Sequence, residues 1–320
     1  MPDFVGLIGS TYSVPLFFLI SGFCIHLSQL KQNEKRNSIK LNLLDYFSRR
    51  FWRIYPAYLI ILLFACTIKA INGEKVGLTD FLIHLFVFQG FSIHYFNSIN
   101  LVLWTITVEI AFYLLYPLWY FFRNKFGHHI ALLISFIITL ISWLFIMKSF
   151  NSSIAPTRFF ILNIWVSWCF GAWLCEELIL NSRKLDSNVY WWVIGAFLLL
   201  LNYVLGSYWW FQFAYYNIII ALWAWIIVPL FRVEGIIERK QNFLLRLIVT
   251  ILVLIGVSSY SLYMLHEPLM VLRNVLLLKI VSPKCRIIVG GLWIIVTFII
   301  SWISFQLFEK PFLSYRFTSK

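Results

Sequence analysis

Long apolar runs separated by short polar connections recur along the whole chain. Most are close to the roughly 20 residues that a helix needs to cross the hydrocarbon core of a bilayer. We place nine of them, at residues 4–28, 54–71, 101–122, 130–147, 159–178, 189–206, 209–231, 258–278 and 287–308. Two shorter apolar segments, 81–91 and 243–257, are predicted to lie in the interface or to re-enter. The alternation of a transmembrane barrel is lacking, so the pattern predicts an all-α polytopic bundle with about nine spans.

The composition leaves little room for a soluble part. Apolar residues make up 61% of the 320 positions and charged residues only 12%, whereas soluble domains carry roughly 25% charged residues. The sequence contains no repeat, low-complexity tract or linker that would divide it. We therefore expect a single integral membrane domain over residues 1–320, with membrane lipid as its surroundings.

The basic residues are unevenly divided between the connections. The net charge is +13, but Lys and Arg cluster at the ends of apolar runs, as the positive-inside rule predicts, and this excludes a nucleic-acid-binding face. Most of them fall in the connections 31–53, 123–129, 179–188 and 232–246 and in the tail after residue 308. This places the C-terminus in the cytoplasm and the protein in the cell membrane as a multi-pass protein. Nine spans then leave Met1 outside, and one further helix upstream would restore an even count.

Glu109 is the clearest ionisable residue within an apolar run. Thr105, Glu109, Tyr113 and Tyr116 follow one another at spacings of 4, 4 and 3 residues, so they share one face of a helix. Glu109 comes eight residues after the outer end of its run, a depth of ~12 Å. A carboxyl at such depth is costly and indicates a functional site. The alternative is a structural carboxyl bound to a neighbouring Arg or Tyr.

Three weaker features accompany Glu109. Arg50 and Arg53 are three residues apart on one helix face where the chain enters the membrane. They are either a topology anchor or a clamp for a phosphorylated ligand, since guanidinium binds phosphate in a bidentate manner. The pair Ser21–Gly22 allows close approach of two helices, and packing is its simpler interpretation. His266 lies near a predicted membrane boundary, where a lone His is more often structural.

Five motifs in a fixed order carry more information than any of these features alone. They are FFLISGF at 17–23, RRFWRIYPAY at 49–58, LWTITVEIAFYLLYP at 103–117, SYSLYMLHEP at 259–268 and QLFEKPF at 306–312. In this order they resemble the acyltransferase-3 family of integral membrane O-acyltransferases, from about residue 13 to residue 313.

The resemblance implies both a fold and an activity. Members have ten membrane helices and transfer an acyl group, often acetyl, from cytoplasmic acyl-CoA to a hydroxyl group. The acceptor is typically a cell-surface glycan or a lipid-linked sugar. No permanently bound cofactor and no metal are expected, so acetyl-CoA or another acyl-CoA enters only as the donor substrate.

The resemblance also implies roles for particular residues. Arg50 and Arg53 match the pair that engages the CoA phosphates, and Glu109 and Tyr113 match the catalytic carboxyl and its aromatic neighbour. The residues expected to pack around the site are Phe17, Phe18, Ser21, Gly22, Phe23, Trp104, Thr105 and His266.

One part of the family pattern is missing. Members begin with a helix that carries an Arg and, about ten residues later, a His regarded as the catalytic base. The 16 residues before Phe17 contain neither, and His26 is a poor substitute by position. We expect that roughly one membrane span of additional sequence, carrying that Arg and His, is encoded upstream. We also expect the 320-residue chain alone to be inactive, since Glu109 would have to act as the only base.

A second class of function fits the same carboxyl. In a proton-coupled transporter or flippase-like bundle, Glu109 would relay protons. Transporters usually have paired halves with broken helices, and the sequence shows no such repeat. The pattern therefore favours the acyltransferase. A test of acyl-CoA binding or hydrolysis separates the two.

Overall fold

Every regular element in the described part of the chain is helical. The structure, a computed structural model, describes residues 13–149, 160–180, 219–227, 243–277 and 285–313 and the single positions 197, 200 and 282. The helices are α1 Val14–Arg36, α2 Leu43–Ile71, α3 Leu78–Leu85, α4 Trp104–Phe126, α5 His128–Ser149, α6 Ile161–Leu180, α7 219–227, α8 Phe243–Val257, α9 Ser259–Leu276, α10 Arg286–Ser304 and α11 Lys310–Leu313. A 3₁₀ turn, Gln89–Phe91, precedes α4, and a π-helical turn, Phe305–Glu309, joins α10 to α11. The all-α prediction is confirmed.

Five helical segments of the described residues are long and apolar enough to cross a membrane. They are α1, α2, α4, residues His128–Ile146 of α5, and Ile288–Phe312, which begins in α10. The end of α8 and the whole of α9 form one further candidate, bent by 72° at its break. The predicted run 189–206 and most of 209–231 lie outside the described residues, so the count of nine spans stays a prediction.

Local sequence explains where the helices begin and end. Pro15 lies in the first turn of α1, where its missing N–H costs nothing, and Asn37 ends that helix in the left-handed conformation with φ 48°. Asn42 caps α2, because its side-chain oxygen accepts from the backbone N–H of Asp45 at 3.1 Å. Gly127, with φ 88°, is the only residue between α4 and α5. Its left-handed backbone ends α4 and lets the chain turn directly into α5.

The chain divides into two compact units, each built from two stretches of sequence. The first unit comprises residues 1–41 and 109–241, and the second comprises 42–108 and 242–320. Helix α4 begins in the second unit and continues into the first at Glu109. The single domain expected for residues 1–320 stays a prediction.

In the first unit, the backbones of α1 and α6 touch at two glycines. A Cβ atom added to Gly22 would overlap the carbonyl oxygen of Trp168, and one added to Gly171 would overlap the carbonyl oxygen of Leu19. Only glycine permits this approach. The close contact predicted for the Ser-Gly pair is therefore confirmed, and α6 supplies a second glycine at the same crossing.

In the second unit, α9 packs against α2 and α10. The hydroxyl of Tyr260 donates to the carbonyl of Ile54 at 3.2 Å, and the ring of Trp52 stacks on that of Phe312 at 5.6 Å between centroids. Ser261 donates to the carboxyl of Glu309 at 2.5 Å. These contacts hold the predicted motifs at 49–58, 259–268 and 306–312 together within one unit.

The approach to α4 is held by polar contacts within the second unit. The amide of Gln89 donates to the carbonyl of Leu103 at 2.8 Å, and the backbone N–H of Gly90 donates to the hydroxyl of Thr107 at 3.1 Å. The hydroxyl of Tyr58 donates to the carbonyl of His84 at the end of α3. The segment 81–91, predicted to be too short to span, is thus a short helix and a turn that support the start of α4.

Candidate functional site

Glu109 is buried in the first unit, where side chains of α1, α4 and α6 meet. Its side chain is only 2% exposed, and its Oε1 accepts the hydroxyl proton of Ser21. The indole Nε1 of Trp168 donates to the same hydroxyl at 3.1 Å. Because an indole only donates, the hydroxyl oxygen is the acceptor there and its proton points to Glu109. We call Ser21, Glu109 and Trp168 the Glu109 layer.

Aromatic rings enclose the Glu109 layer. The rings of Phe18 and Phe112 meet edge to face at 5.2 Å, and that of Phe112 lies 6.0 Å from Trp168. Tyr113 is buried one turn after Glu109, at 6% exposure. Burial among aromatic rings lowers the local dielectric, so that a hydrogen bond to a carboxyl is stronger than in water.

The phenylalanines of the 17–23 motif have different positions in the first unit. Phe18 is fully buried against α4, and Phe17 packs at 5.7 Å on the ring of Phe18. Phe23 instead joins a core formed by α1, α6 and α7, which includes Leu19 and Ile220. Phe17 and Phe18 therefore line the Glu109 layer, whereas Phe23 anchors α1 in the core that it shares with α6 and α7.

A second buried polar cluster lies further along the same three helices. The Nδ1 atom of His26 is 2.9 Å from the hydroxyl of Tyr116, and its Nε2 atom is 2.7 Å from Oε1 of Glu176. The Nε atom of Arg123 donates to that same carboxyl oxygen at 2.5 Å. His26 is 0% exposed and Glu176 is 1% exposed. We call His26, Tyr116 and Glu176 the His26 layer.

The two layers are stacked with a regular offset. The second layer follows the first by five residues on α1, seven on α4 and eight on α6, which is ~7–12 Å along each helix. On each of the three helices, the residue in the second layer has a higher sequence number than the residue in the first. Helices α1, α4 and α6 therefore run in the same direction. The ring of Trp168 lies edge-on to that of Tyr116 at 5.7 Å and joins the layers.

The His26 layer was missed by sequence reasoning. The partners of His26 lie 90 and 150 residues away in the sequence, so nothing near His26 indicated that it was more than incidental. One signal was present: Glu176 is an acidic residue within the apolar run 159–178. Intramembrane acidic residues usually have partners, but the sequence does not name the partner.

A group of possible metal ligands lies at the end of the first unit. His128, His129 and Glu177 bring ligand atoms within 4.8 Å of one another. The Nε2 atoms of the two rings lie 2.8 Å and 3.4 Å from Oε1 of Glu177, and the indole of Trp173 donates to Nδ1 of His129 at 3.1 Å. A neutral ring that accepts at Nδ1 carries its proton on Nε2, the atom that would face a metal. In this arrangement the three side chains form a polar cap on the end of the first unit.

The two arginines expected to bind CoA lie on α2, in the second unit. Arg50 is 6% exposed, and its guanidinium lies 5.5 Å from the centroid of the Tyr46 ring, a cation–π distance. Arg53 is exposed, and the neighbouring Arg49 forms an ion pair with Asp45. The two arginines therefore differ in burial: the Arg50 guanidinium packs on an aromatic ring, whereas Arg53 is exposed.

Three residues expected to pack around the site have local contacts in the second unit. Trp104 stacks on Phe96 at 4.9 Å, and the hydroxyl of Thr105 donates to the carbonyl of Val102 at 2.8 Å. His266 lies on α9, where its Nδ1 atom is 2.6 Å from the carbonyl oxygen of Tyr263 and donates to it. These contacts stabilise the start of α4 and one turn of α9.

A buried carboxyl layer within a bundle of apolar helices defines the first unit as part of a helical membrane protein. The chain belongs to the acyltransferase-3 family, whose acyltransferase domain profile matches residues 2–308. It is similar to the O-acetyltransferase OatA of Staphylococcus aureus, with 27% identity over 95% of this chain and 53% of that protein. The peptidoglycan O-acetyltransferase OatA of Listeria monocytogenes is 24% identical over 95% of the chain and 51% of its own length. The chain therefore spans about half the length of these curated relatives. No solved structure matches it.

Proposed function

We propose that this chain is the membrane part of an O-acetyltransferase that transfers acetyl from acetyl-CoA to a hydroxyl of a cell-wall glycan. The observation that carries the proposal is the Glu109 layer, a buried carboxyl that accepts a hydrogen bond from Ser21. The supporting relatives are named as O-acetyltransferases, one of them of peptidoglycan. We therefore choose peptidoglycan as the first acceptor to test.

The chemistry of the transfer needs a base close to the acceptor hydroxyl. The resemblance predicted that Glu109 as the only base would leave this chain inactive, and our proposal differs because Ser21 and Trp168 hold the carboxyl in place. In the proposed step, the Glu109 carboxylate takes the proton of the acceptor hydroxyl while the hydroxyl oxygen attacks the thioester carbonyl. The new C–O bond forms, the C–S bond breaks, and the CoA thiolate leaves and is then protonated. Ser21 orients the carboxyl and Trp168 orients Ser21, so Glu109 is held in one position before substrate arrives.

The donor is proposed from the basic residues of α2. Arg53 is exposed in the first half of α2, the half that the charge pattern assigns to the cytoplasmic side, where acyl-CoA is present. A guanidinium binds phosphate oxygens with two parallel hydrogen bonds. In this proposal Arg53 contacts a CoA phosphate directly, and Arg50, fixed on the Tyr46 ring, adds positive charge beside it.

The proposal is tested with the protein expressed in a bacterium whose own wall O-acetyltransferase gene has been deleted. Membranes are given acetyl-CoA labelled in its acetyl group, and ester-bound label is released from purified peptidoglycan by mild base. We expect label in the wall only when the protein is present. Label in another polymer would change the acceptor, and no label in any ester would contradict the transferase.

Glu74→Gln is a matched control for substitutions of Glu109, and an assay in sealed vesicles separates the transferase from the transporter alternative. Glu74 is an exposed glutamate just after the end of α2 and pairs with Lys69 in the last turn of that helix, and Glu74→Gln should leave transfer unchanged. In sealed vesicles, a transporter would move protons in the absence of any acyl donor. Proton movement without ester formation would favour the transporter and contradict the role proposed for Glu109.

A further inference from the structure

We propose that the His26 layer takes up the proton that Glu109 removes from the acceptor, with His26 as the proton acceptor and Tyr116 as the group through which it acts. This inference rests on the proposed function, since it assigns the next step of the same transfer. His26 and Glu176 would be positioning and relay residues that never contact the substrate. Their chemistry follows from their hydrogen bonds.

The hydrogen bonds fix the tautomer of His26. The carboxylate of Glu176 only accepts, and Arg123 donates to the same oxygen, which favours its ionised form. The ring of His26 therefore carries its proton on Nε2, 2.7 Å from Glu176. Its Nδ1 atom keeps a lone pair and accepts from the hydroxyl of Tyr116 at 2.9 Å. In a hydrolase triad, a carboxylate likewise accepts from one ring nitrogen of a His, and the other ring nitrogen accepts from a hydroxyl. Glu176, His26 and Tyr116 have this arrangement.

Polar side chains continue from this base towards Glu109. Tyr113 and Tyr116 follow Glu109 on α4 at steps of four and three residues, so the three share one face of the helix. Both tyrosines are buried, and each phenol can donate and accept one proton. A proton that moves from Glu109 along this face reaches the hydroxyl bonded to Nδ1 of His26.

The proposed reaction requires such a movement. The acceptor hydroxyl gives its proton to Glu109, and the CoA thiolate that leaves needs one. A proton that moves from Glu109 to the thiolate returns the carboxyl to its ionised form and leaves no net charge behind. When His26 takes the proton, the charged ring is stabilised by the carboxylate of Glu176. When the ring releases it towards the thiolate, the resting state returns.

The surroundings of His26 can support both protonation states. The titratable and charged groups that face it are Tyr116, Tyr120 and Arg123 from α4, Glu176 from α6 and His128 from α5. His128 lies 3.8 Å from the second oxygen of Glu176 and is 20% exposed. It therefore connects the buried pair to the end of the unit that the charge pattern assigns to the cytoplasm.

Packing alone does not account for this layer. A third pair, Asn33 and Tyr120, joins the same two helices with a neutral hydrogen bond of 2.7 Å. A neutral pair thus joins α1 to α4 at this end without any buried charge. Burying a His, a Glu and an Arg together costs desolvation energy that apolar residues would not. Groups kept at such a cost within a membrane usually move charge.

The test compares the wild-type protein, the His26→Gln variant and the Tyr120→Phe variant, each in membranes. Glutamine can accept from Tyr116 and donate to Glu176, but it does not take up a proton. Acetyl transfer is measured against pH, together with the KM for acetyl-CoA and the melting temperature. We expect His26→Gln to lower kcat roughly 100-fold, the low end of general acid–base effects, with KM unchanged. Tyr120→Phe, which removes neutral hydrogen bonds to Asn33 and to the Ile39 carbonyl, should lower the melting temperature but keep the acid limb of the pH profile.

The pH profile distinguishes a proton acceptor from a packing residue. Wild-type kcat should fall on the acid side as His26 becomes protonated, since a charged ring accepts nothing. In His26→Gln the part of that limb that belongs to His26 should be lost, and only the fall caused by protonation of Glu109 should remain. Wild-type kcat and an unchanged acid limb in the folded His26→Gln variant would overturn the inference, although the proposed function would stand. If the wild-type protein transfers no acetyl group, both the proposed function and the proton relay are contradicted.

A second variant covers the case in which His26→Gln does not fold. Tyr116→Phe leaves the His26–Glu176–Arg123 contacts in place and removes only the phenol oxygen. We expect it to lower kcat about as far as His26→Gln, and the double variant to be no slower, because the two groups act as one unit. A Tyr116→Phe protein with wild-type kcat would overturn the relay.

Discussion

Ser21 donates its hydroxyl to Glu109 across two helices, although the residues are 88 positions apart in the sequence. This bond joins the FFLISGF motif and the LWTITVEIAFYLLYP motif in one site. The resemblance to the acyltransferase-3 family assigned packing to Ser21 and catalysis to Glu109. The structure places the two in direct contact, so the serine orients the carboxyl.

Removing the Ser21 hydroxyl should slow transfer without unfolding the protein. Alanine is smaller than serine, so α1 and α6 can keep their close approach at Gly22. The carboxyl of Glu109, however, loses one hydrogen-bond donor. A hydrogen bond to a charged group contributes about 1.5–3 kcal/mol, so we expect kcat to fall at least 10-fold. Ser135→Ala is the control, because Ser135 is also buried and its hydroxyl donates to the carbonyl of Ala131 on its own helix. Equal rates for both variants would show that Ser21 is a packing residue.

Adding one methyl group at the crossing of α1 and α6 should destabilise the first unit. Gly22→Ala places a Cβ atom against the carbonyl of Trp168, and overpacking of this kind costs about 1–3 kcal/mol. Gly290→Ala on α10 meets no atom within 4 Å and should be neutral or slightly stabilising. Melting temperatures in detergent compare the two. A Gly22→Ala protein as stable as Gly290→Ala would contradict the close contact.

The arginines of α2 should differ from one another when each is replaced. Arg53→Ala should weaken acetyl-CoA binding by about 1.5–3 kcal/mol, roughly 10- to 100-fold, and should leave stability unchanged because Arg53 is exposed. Arg50→Ala should weaken binding and also lower the melting temperature, since its guanidinium packs on Tyr46. Lys40→Ala, at another exposed basic residue, is the control. Wild-type affinity in Arg53→Ala would leave the topology anchor as the better interpretation.

Thr105 should prove structural, although it belongs to the most specific motif. Its hydroxyl is bonded to the carbonyl of Val102 at the start of α4. Thr105→Val keeps the shape and removes that bond, which costs about 1 kcal/mol. We expect a lower melting temperature and a kcat within a few-fold of wild type. A large loss of kcat at wild-type stability would show that the hydroxyl takes part in transfer.

The sequence predicted those features that depend on local pattern. Apolar run lengths predicted the helices that the structure describes, and the depth of Glu109 predicted a buried carboxyl, because both follow from the properties of one helix. The Ser-Gly pair correctly predicted a close helix contact. It could not indicate that Gly171 lies on the facing helix, since a crossing involves two distant segments.

The His26 layer shows where such reasoning ends. A buried base is recognised by its partners, and Tyr116 and Glu176 come from two other helices. The charge of Glu176 within an apolar run was visible in the sequence, but pairing depends on which helices become neighbours. The same limit applies to Arg50, whose burial on the ring of Tyr46 does not follow from its spacing to Arg53.

The most direct test of the account is acetyl transfer by Glu109→Gln. Glutamine has nearly the same shape and can still accept from Ser21, so the fold should persist, but it cannot take a proton from the acceptor hydroxyl. We measure the rate at which labelled acetyl passes from acetyl-CoA to peptidoglycan in membranes that contain equal amounts of folded protein. The account predicts a loss of roughly 100-fold or more. Transfer by Glu109→Gln at the wild-type rate would contradict it.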